Sequence, residues 1–210
     1  MEKETKIVAG MTSFGMSGLV FHGPLLDVHP GFHLKSVLQR TKDTAKEKYE
    51  NIEIVRTIED LVQDPALDLV IVNATNDTHF PHAKMALEAG KHVVIEKPMT
   101  NTIEEGKELI QLAREKGLVL SVFQNRRWES DFITLREIIE EELLGRIVEF
   151  NGNFDRYRNY IQPNTWKEET GPGSGLLYNL GPHLIDQAIV LFGPPDAVAA
   201  DIRSMRTDSR

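Results

Sequence analysis

Ser13-Phe-Gly15-Met-Ser-Gly18 directly follows an apolar run, Ile7-Val8-Ala9, and directly precedes Leu19-Val20-Phe21. Glycines at such a strand-to-helix junction permit a tight turn, let a pyrophosphate approach the backbone, and allow the helix to close on the strand. The unpaired N–H groups of the helix N-terminus then face the phosphates. Gly15 and Gly18 occupy the second and third places of that pattern, while Ser13 fills the first and brings a Cβ into the turn. About twenty residues further on, an adenosine ribose would be read at the end of the second strand. There the chain carries Gln39-Arg40-Thr41-Lys42. No carboxylate stands there to accept from a ribose 2′-OH, whereas Arg40 and Lys42 suit a 2′-phosphate. The spacing points to a dinucleotide, with NADP expected ahead of NAD.

Glu96-Lys97-Pro98 ends a further strand-like run, His92-Val-Val-Ile95. In open α/β sheets the carboxyl ends of strands face the ligand crevice. A Lys delivered there hydrogen-bonds a substrate hydroxyl and shares in its proton transfer, more readily if partial burial lowers its pKa. Pro98 fixes the local turn and permits a cis bond. Of the seven histidines, His22, His29, His33, His82 and His92 read as packing or structural hydrogen-bonding groups, and His79 is expected on the nicotinamide side.

The elements that must position these groups alternate. Ile7–Ala9, Phe32–Leu38, Leu67–Asn73, His92–Ile95 and Leu118–Val122 are short β-rich runs. Runs apolar on both faces suit a parallel sheet covered by helices on each side. Thr102-Ile-Glu-Glu105 is a capping box, Leu109, Ile110, Leu112 and Ala113 give its helix a buried side, and Gly117 ends it. Pro81 is expected in the first turn of another helix that ends at Gly90. Repeated β-then-α units make a doubly wound sheet. From Gln124 the pattern changes. A helix over 131–144 ends at Gly145, a long strand is expected over Ile147–Arg158, and a Pro/Gly-rich loop runs to Gly175. A helix from His183 to Phe192 and a strand from Ala197 to Met205 complete an α+β region with antiparallel strands.

The 210 residues, 40 % hydrophobic and 27 % charged, fit one or two globular domains at roughly 150 residues each. With 24 basic and 32 acidic residues the formal charge is −8, against the cationic face a nucleic-acid binder needs. The chain has no Cys, which excludes disulfides and thiolate metal sites, and no metal is expected. The charged start, Met-Glu-Lys-Glu-Thr-Lys, does not read as a signal peptide. No apolar stretch approaches the ~20 residues that span a bilayer. A cytoplasmic protein without nucleic-acid or membrane partners is expected.

Several segments together carry a resemblance. They are Phe-Gly-Met-Ser-Gly-Leu-Val-Phe-His-Gly-Pro-Leu-Leu (14–26), Asn-Ala-Thr-Asn-Asp-Thr-His (73–79), Glu-Ala-Gly-Lys-His-Val-Val-Ile-Glu-Lys-Pro (88–98), Asn-Arg-Arg-Trp (125–128) and Gly-Pro-Gly-Ser-Gly-Leu-Leu-Tyr-Asn-Leu-Gly-Pro-His-Leu-Ile-Asp-Gln (171–187). In these the chain resembles the Gfo/Idh/MocA family of NAD(P)-dependent oxidoreductases along its whole length, and within it the NADP+-dependent scyllo-inositol dehydrogenase branch. The resemblance implies a Rossmann domain over 1–123. It also implies the start of a C-terminal α/β substrate and oligomerisation domain over 124–210, truncated relative to family members, with the substrate lying between the two. The exposed face of so short a sheet is expected to promote homo-oligomerisation.

The same resemblance sets the expected site. Ser13, Phe14, Gly15, Met16, Ser17 and Gly18 would hold the cofactor together with Arg40, Thr41 and Lys42. Ala74, Thr75, Asn76 and His79, then Glu96, Lys97 and Pro98, would complete that set. Family members carry Lys in Glu-Lys-Pro, matched by Lys97, and Asp-x-Gly-x-His, read here as Asn179-Leu-Gly181-Pro-His183. The His is kept and the Asp is replaced by Asn. The implied reaction moves a hydride from a secondary carbinol of a cyclic polyol or sugar, inositol-like, to the nicotinamide. His183 would take the hydroxyl proton, because imidazole titrates near working pH. Lys97 would bind and polarise the oxygen, and Asn179 would orient without supplying charge. Arg127, Trp128, Trp166 and Tyr178 would line the substrate pocket with them. Ser13, Asn179 and the short second region all favour reduced catalysis. A non-catalytic NAD(P)-binding regulator, or a degenerate truncated member, therefore stays open beside the dehydrogenase, as does a pure interaction module.

Overall fold

A computed structural model describes residues 6–155, 157–163, 165, 167–168, 170–204 and 206. The chain forms two units, Met1–Phe123 and Gln124–Arg210.

The first unit is built on six parallel strands: β1 (Ile7–Met11), β2 (Phe32–Leu38), β3 (Glu53–Val55), β4 (Leu69–Val72), β5 (His92–Glu96) and β6 (Leu120–Phe123). Their order in the sheet is β3-β2-β1-β4-β5-β6, the doubly wound arrangement expected from the alternation. The reason is visible in β4, whose four residues Leu-Val-Ile-Val are all buried because helices cover both faces. One side packs Val70, Val72, Val93 and Ile95 against Leu61, Leu87 and Leu109. The other packs Met11, Val37 and Ile71 against Leu26 and Ala45. The sheet's order reverses between β1 and β4, so the segments leaving those two strands stand at the edges of a crevice.

The helices of this unit are α1 (Gly23–Val28), entered through a wide π turn over Gly18–His22, then α2 (Ile58–Val62), α3 (Asn76–Glu88) and α4 (Ile103–Glu115). Around α4 the capping box is formed in full: Thr102 Oγ1 accepts from Glu105 N–H, and the Glu105 carboxylate accepts from Thr102 N–H. Gly117 then takes a φ of 65°, the left-handed conformation that favours glycine. The expected start of α3 is corrected. Asn76, Asp77 and Thr78 make its first turn, and both the N–H and the Oγ of Thr78 bond to Thr75 O. Pro81 therefore lies inside the helix, where it removes one backbone bond, a loss offset by burial of Ala83, Ala86 and Leu87. The segments β3 and α2 were not anticipated, being three and five residues long, too short for a period to show.

The second unit holds a 3₁₀ turn (Asn125–Trp128), α5 (Ser130–Glu140) and α6 (Gly175–Phe192). Here two expectations fail. Neither Ile147–Arg158 nor Ala197–Met205 forms a strand among the described residues, so the antiparallel strands are not present there; Arg156 and Met205 lie outside those residues. A strand exists only through a partner's hydrogen-bond ladder. No ladder is present among the described residues of these segments, and Val148 and Val198 are 79 % and 80 % exposed. The other failure is the start of α6, which begins at Gly175 rather than His183: Gly181-Pro182 reads as a breaker, yet the helix runs through it. Among the described residues, no helix is long and apolar enough to cross a membrane.

Candidate functional site

Thr12 to Gly18 form the turn that leaves β1. A Cβ on Gly18 would stand 2.6 Å from Ser13 O and 3.0 Å from Asn73 Nδ2, so only glycine lets the helix approach the strand this closely. Gly15 is exposed and its added Cβ would meet only Ser13 Oγ at 3.4 Å, an ordinary contact. The departure at Ser13 has a local use: its Oγ accepts from Gly15 N–H at 3.1 Å and fixes the turn. Phe14 packs edge-on against Tyr49, with ring centroids 6.0 Å apart, and Met16 is largely exposed. Leu19 N–H donates to Gly15 O and begins the helical bonding.

Asn73, at the end of β4, closes the turn from the other side of the crevice. Its Nδ2 donates to Ser13 O at 3.0 Å, its N–H donates to Thr12 Oγ1, and its carbonyl accepts from Ser17 Oγ at 3.2 Å. Sequence reasoning did not single it out. The available signal was a buried amide directly after four apolar residues.

The glycine turn fits a dinucleotide: a Cβ is excluded at Gly18, and Gly15 and Met16 are exposed where a pyrophosphate would approach the helix N-terminus. Arg40, Thr41 and Lys42 are all exposed at the end of β2. Gln39 holds the start of the loop by donating to Thr44 Oγ1 and accepting from Ala45 N–H. Arg56 fastens the remainder, donating from Nη1 to Gln39 O at 2.7 Å and Lys42 O at 2.9 Å, and from Nη2 to the Asp43 carboxylate at 2.6 Å. That pair neutralises the nearby carboxylate of the loop. Arg56 was missed because its partners lie on a separate segment.

At the end of β5, Glu96, Lys97 and Pro98 are each half-buried, and the Lys97–Pro98 peptide is cis. Glu96 Oε1 accepts from His22 Nε2 at 3.0 Å and its Oε2 accepts from Lys97 N–H. His79 donates from Nδ1 to Pro98 O at 2.7 Å. Burial pushes the His79 pKa below the ordinary histidine value, and burial followed by the neighbouring His79 does the same to His82. Ala74 is half-buried, Thr75 exposed and Asn76 buried where α3 begins. The structure thus gathers the residues expected at the end of β5 and adds His22 to them.

In the second unit, Asn179 and His183 lie four residues apart on α6, hence on one face. His183 is 7 % exposed and its ring stands 6.4 Å from that of Phe154. Further along α6, Asp186 accepts from Arg127 Nε and Nη2 at 2.7 and 2.5 Å, a bidentate pair that raises the Arg127 pKa. Gln187 donates to Arg126 O, and the Arg126 guanidinium lies 4.8 Å from the Phe154 ring centroid. Asp186, Arg126 and Phe154 were not anticipated. Tyr178 is half-buried, Trp128 is 76 % exposed, and Trp166 lies outside the described residues.

Residues 7–124 match the Gfo/Idh/MocA oxidoreductase family with its NAD-binding Rossmann fold, and residues 132–210 match the Gfo/Idh/MocA C-terminal domain. The chain belongs to the Gfo/Idh/MocA family. The scyllo-inositol 2-dehydrogenase (NADP(+)) IolW of Bacillus subtilis (strain 168) is 42 % identical over 207 residues, 99 % of this chain and 58 % of its own length. The uncharacterized oxidoreductase YdgJ of Escherichia coli (strain K12) is 44 % identical over 200 residues, 95 % of this chain and 58 % of its own. Among solved structures, yvaA from Bacillus subtilis superposes with a TM-score of 0.94 at 41 % identity, covering 100 % of this chain and 59 % of that one. This Gfo/Idh/MocA chain therefore spans little more than half the length of the curated relatives it matches. The family expected from its motifs is the family found.

Proposed function

We propose that this chain carries the cofactor-binding and part of the substrate-binding machinery of an NADP-dependent dehydrogenase acting on a secondary hydroxyl of a cyclic polyol or sugar. The observation that carries the reading is the glycine turn, where a Cβ at Gly18 would collide with Ser13 O and where Asn73 locks the turn to the end of β4. The turn residues Ser13 to Gly18 hold the pyrophosphate, and Arg40 and Lys42 meet a 2′-phosphate, with Thr41 between them. Ala74, Thr75, Asn76, His79, Glu96, Lys97 and Pro98 border the remainder of the cofactor. The name of IolW, which specifies NADP(+) and scyllo-inositol, supports both the cofactor and the substrate class.

When bound, NADP supplies the hydride acceptor, and orientation is left to the protein. Lys97 binds and polarises the substrate oxygen, His183 receives the hydroxyl proton, and Asn179 orients by hydrogen bonding without charge. Arg127, Trp128 and Tyr178 contribute to substrate recognition. The proposed homo-oligomer rests on the exposed apolar side chains of the second unit, Leu176, Leu177, Ile185 and Phe192 among them, and light scattering tests it.

One observation favours a second reading, a non-catalytic NAD(P)-binding protein: an amide, Asn179, stands where family members carry a carboxylate. Loss of an orienting carboxylate from a catalytic triad lowers turnover by roughly 10⁴-fold. The test is NADP+-linked oxidation across a panel of inositols and sugars by the wild type, Lys97→Met and Asn179→Asp. The dehydrogenase reading expects turnover that Lys97→Met abolishes and Asn179→Asp raises. Absence of turnover in the wild type and in Asn179→Asp, with NADPH still bound, favours the second reading.

A further inference from the structure

Two buried histidines bond the residues that precede and follow Lys97 in the chain. His22 is 4 % exposed and His79 1 %, and they come from different elements, the π turn after the glycine segment and α3. Burying an imidazole is costly unless its nitrogens are bonded, so these two places require a return. His22 Nε2 meets Glu96 Oε1, on the residue before Lys97, and Glu96 Oε2 in turn accepts the Lys97 N–H. His79 Nδ1 meets the carbonyl of Pro98, the residue after Lys97. A carbonyl only accepts, so the proton of His79 sits on Nδ1; an ionised Glu96 fixes the His22 proton on Nε2 in the same way.

The geometry that delivers His22 is specific. Gly23 N–H bonds back five residues to Gly18 O, the wide turn that swings His22 inward, and a Cβ on Gly23 would stand 2.6 Å from both Gly18 O and Tyr49 Oη. Phe123 then backs the imidazole, with centroids 4.2 Å apart. The helix that starts in the glycine turn therefore reaches the strand end that carries Lys97. π turns of this kind recur at functional sites.

We propose that His22 and His79 are positioning residues that bracket Lys97: His22, through Glu96, and His79, through Pro98, fix the backbone from which the ammonium projects. His22 also ties that backbone to the segment expected to hold the cofactor phosphates. This rests on the role proposed for Lys97. Misplacing a reacting group by an ångström lowers turnover by about 100-fold. Removing either donor is thus expected to lower kcat by about 10- to 100-fold.

The test compares His22→Leu and His79→Leu with His22→Gln and His79→Asn, which return an N–H donor near Nε2 and Nδ1 respectively. Glu96→Gln weakens the His22 bond without altering the packing of the ring, and serves if a Leu variant does not fold. The readout independent of turnover is the NMR signal of ¹³C-dimethylated Lys97, assigned with Lys97→Arg. In folded protein, the Leu variants and Glu96→Gln are expected to shift or broaden that signal, and the Gln and Asn variants to restore it. An unchanged Lys97 signal in folded Leu variants or Glu96→Gln overturns the bracket. Absence of turnover in the wild type, with the Lys97 signal still responding, overturns instead the role given to Lys97.

Discussion

The two units are made by different physics. Residues 6–123 close every strand of a six-stranded sheet into hydrogen-bond ladders, and helices seal both faces. The second unit has two helices and a 3₁₀ turn, with no strand among its described residues. Among the described residues, every buried hydrophobic side chain except Phe132 belongs to the first unit. The order of the second unit near His183 comes from polar and aromatic contacts instead: Arg127 with Asp186, Arg126 over Phe154, Gln187 on Arg126 O. Buried apolar packing is thus concentrated in the first unit, beneath the glycine turn and the end of β5, while polar and aromatic contacts surround the buried His183 in the second.

The largest effect that separates the two is core truncation. Leu87→Ala, in the first unit's core, is expected to cost about 2–5 kcal/mol in urea unfolding. Val198→Ala, on the second unit's exposed surface, is expected to change stability by less than about 0.5 kcal/mol. Equal costs would break the comparison. Next in size is Gly18→Ala, whose Cβ must displace Ser13 O at a cost of about 1–3 kcal/mol. Were that cost expressed in full on NADPH binding, it would be roughly 5- to 150-fold in Kd, whereas Gly15→Ala stays within a few-fold.

Acid provides a subtler separation. His79 and His82 titrate below the ordinary value of 6.5 because burial disfavours their charged forms. The unfolded chain therefore takes up protons that the folded first unit does not. Stability from these groups is complete above about pH 6.5 and declines as the pH falls below it, and His79→Asn should flatten the decline in pH-dependent urea midpoints. The smallest effect expected is Arg127→Ala. Its bidentate bond to Asp186 is partly open to solvent, so the loss is about 1 kcal/mol or less and shrinks further in salt.

Legibility in the sequence follows the same division. Five of the parallel strands and the capped helix α4 are readable because a buried strand must be apolar on both faces and a helix end must satisfy its own N–H groups. Those rules are local. The stretches 147–158 and 197–205 show β-like alternation, but a ladder needs a partner that alternation cannot specify. Gly181-Pro182 hides the first two turns of α6 because helix breaking is a tendency that tertiary context overrides. At the site, the glycine turn and Glu96-Lys97-Pro98 are visible as motifs. The roles of Asn73 and His22 are not, although both stand inside motif segments, because each bonds a residue far along the chain: His22 and Glu96 are 74 positions apart.

The account rests on the glycine turn receiving a phosphate-bearing dinucleotide. Fluorescence titration of NADPH into the wild-type chain and Gly18→Ala tests this most directly. Saturable binding by the wild type, displaced by NADP+ more readily than by NAD+ and lost or at least about fivefold weaker in Gly18→Ala, is the predicted result. A wild-type chain that binds no NADPH, or a Gly18→Ala variant that binds it equally well, contradicts the account.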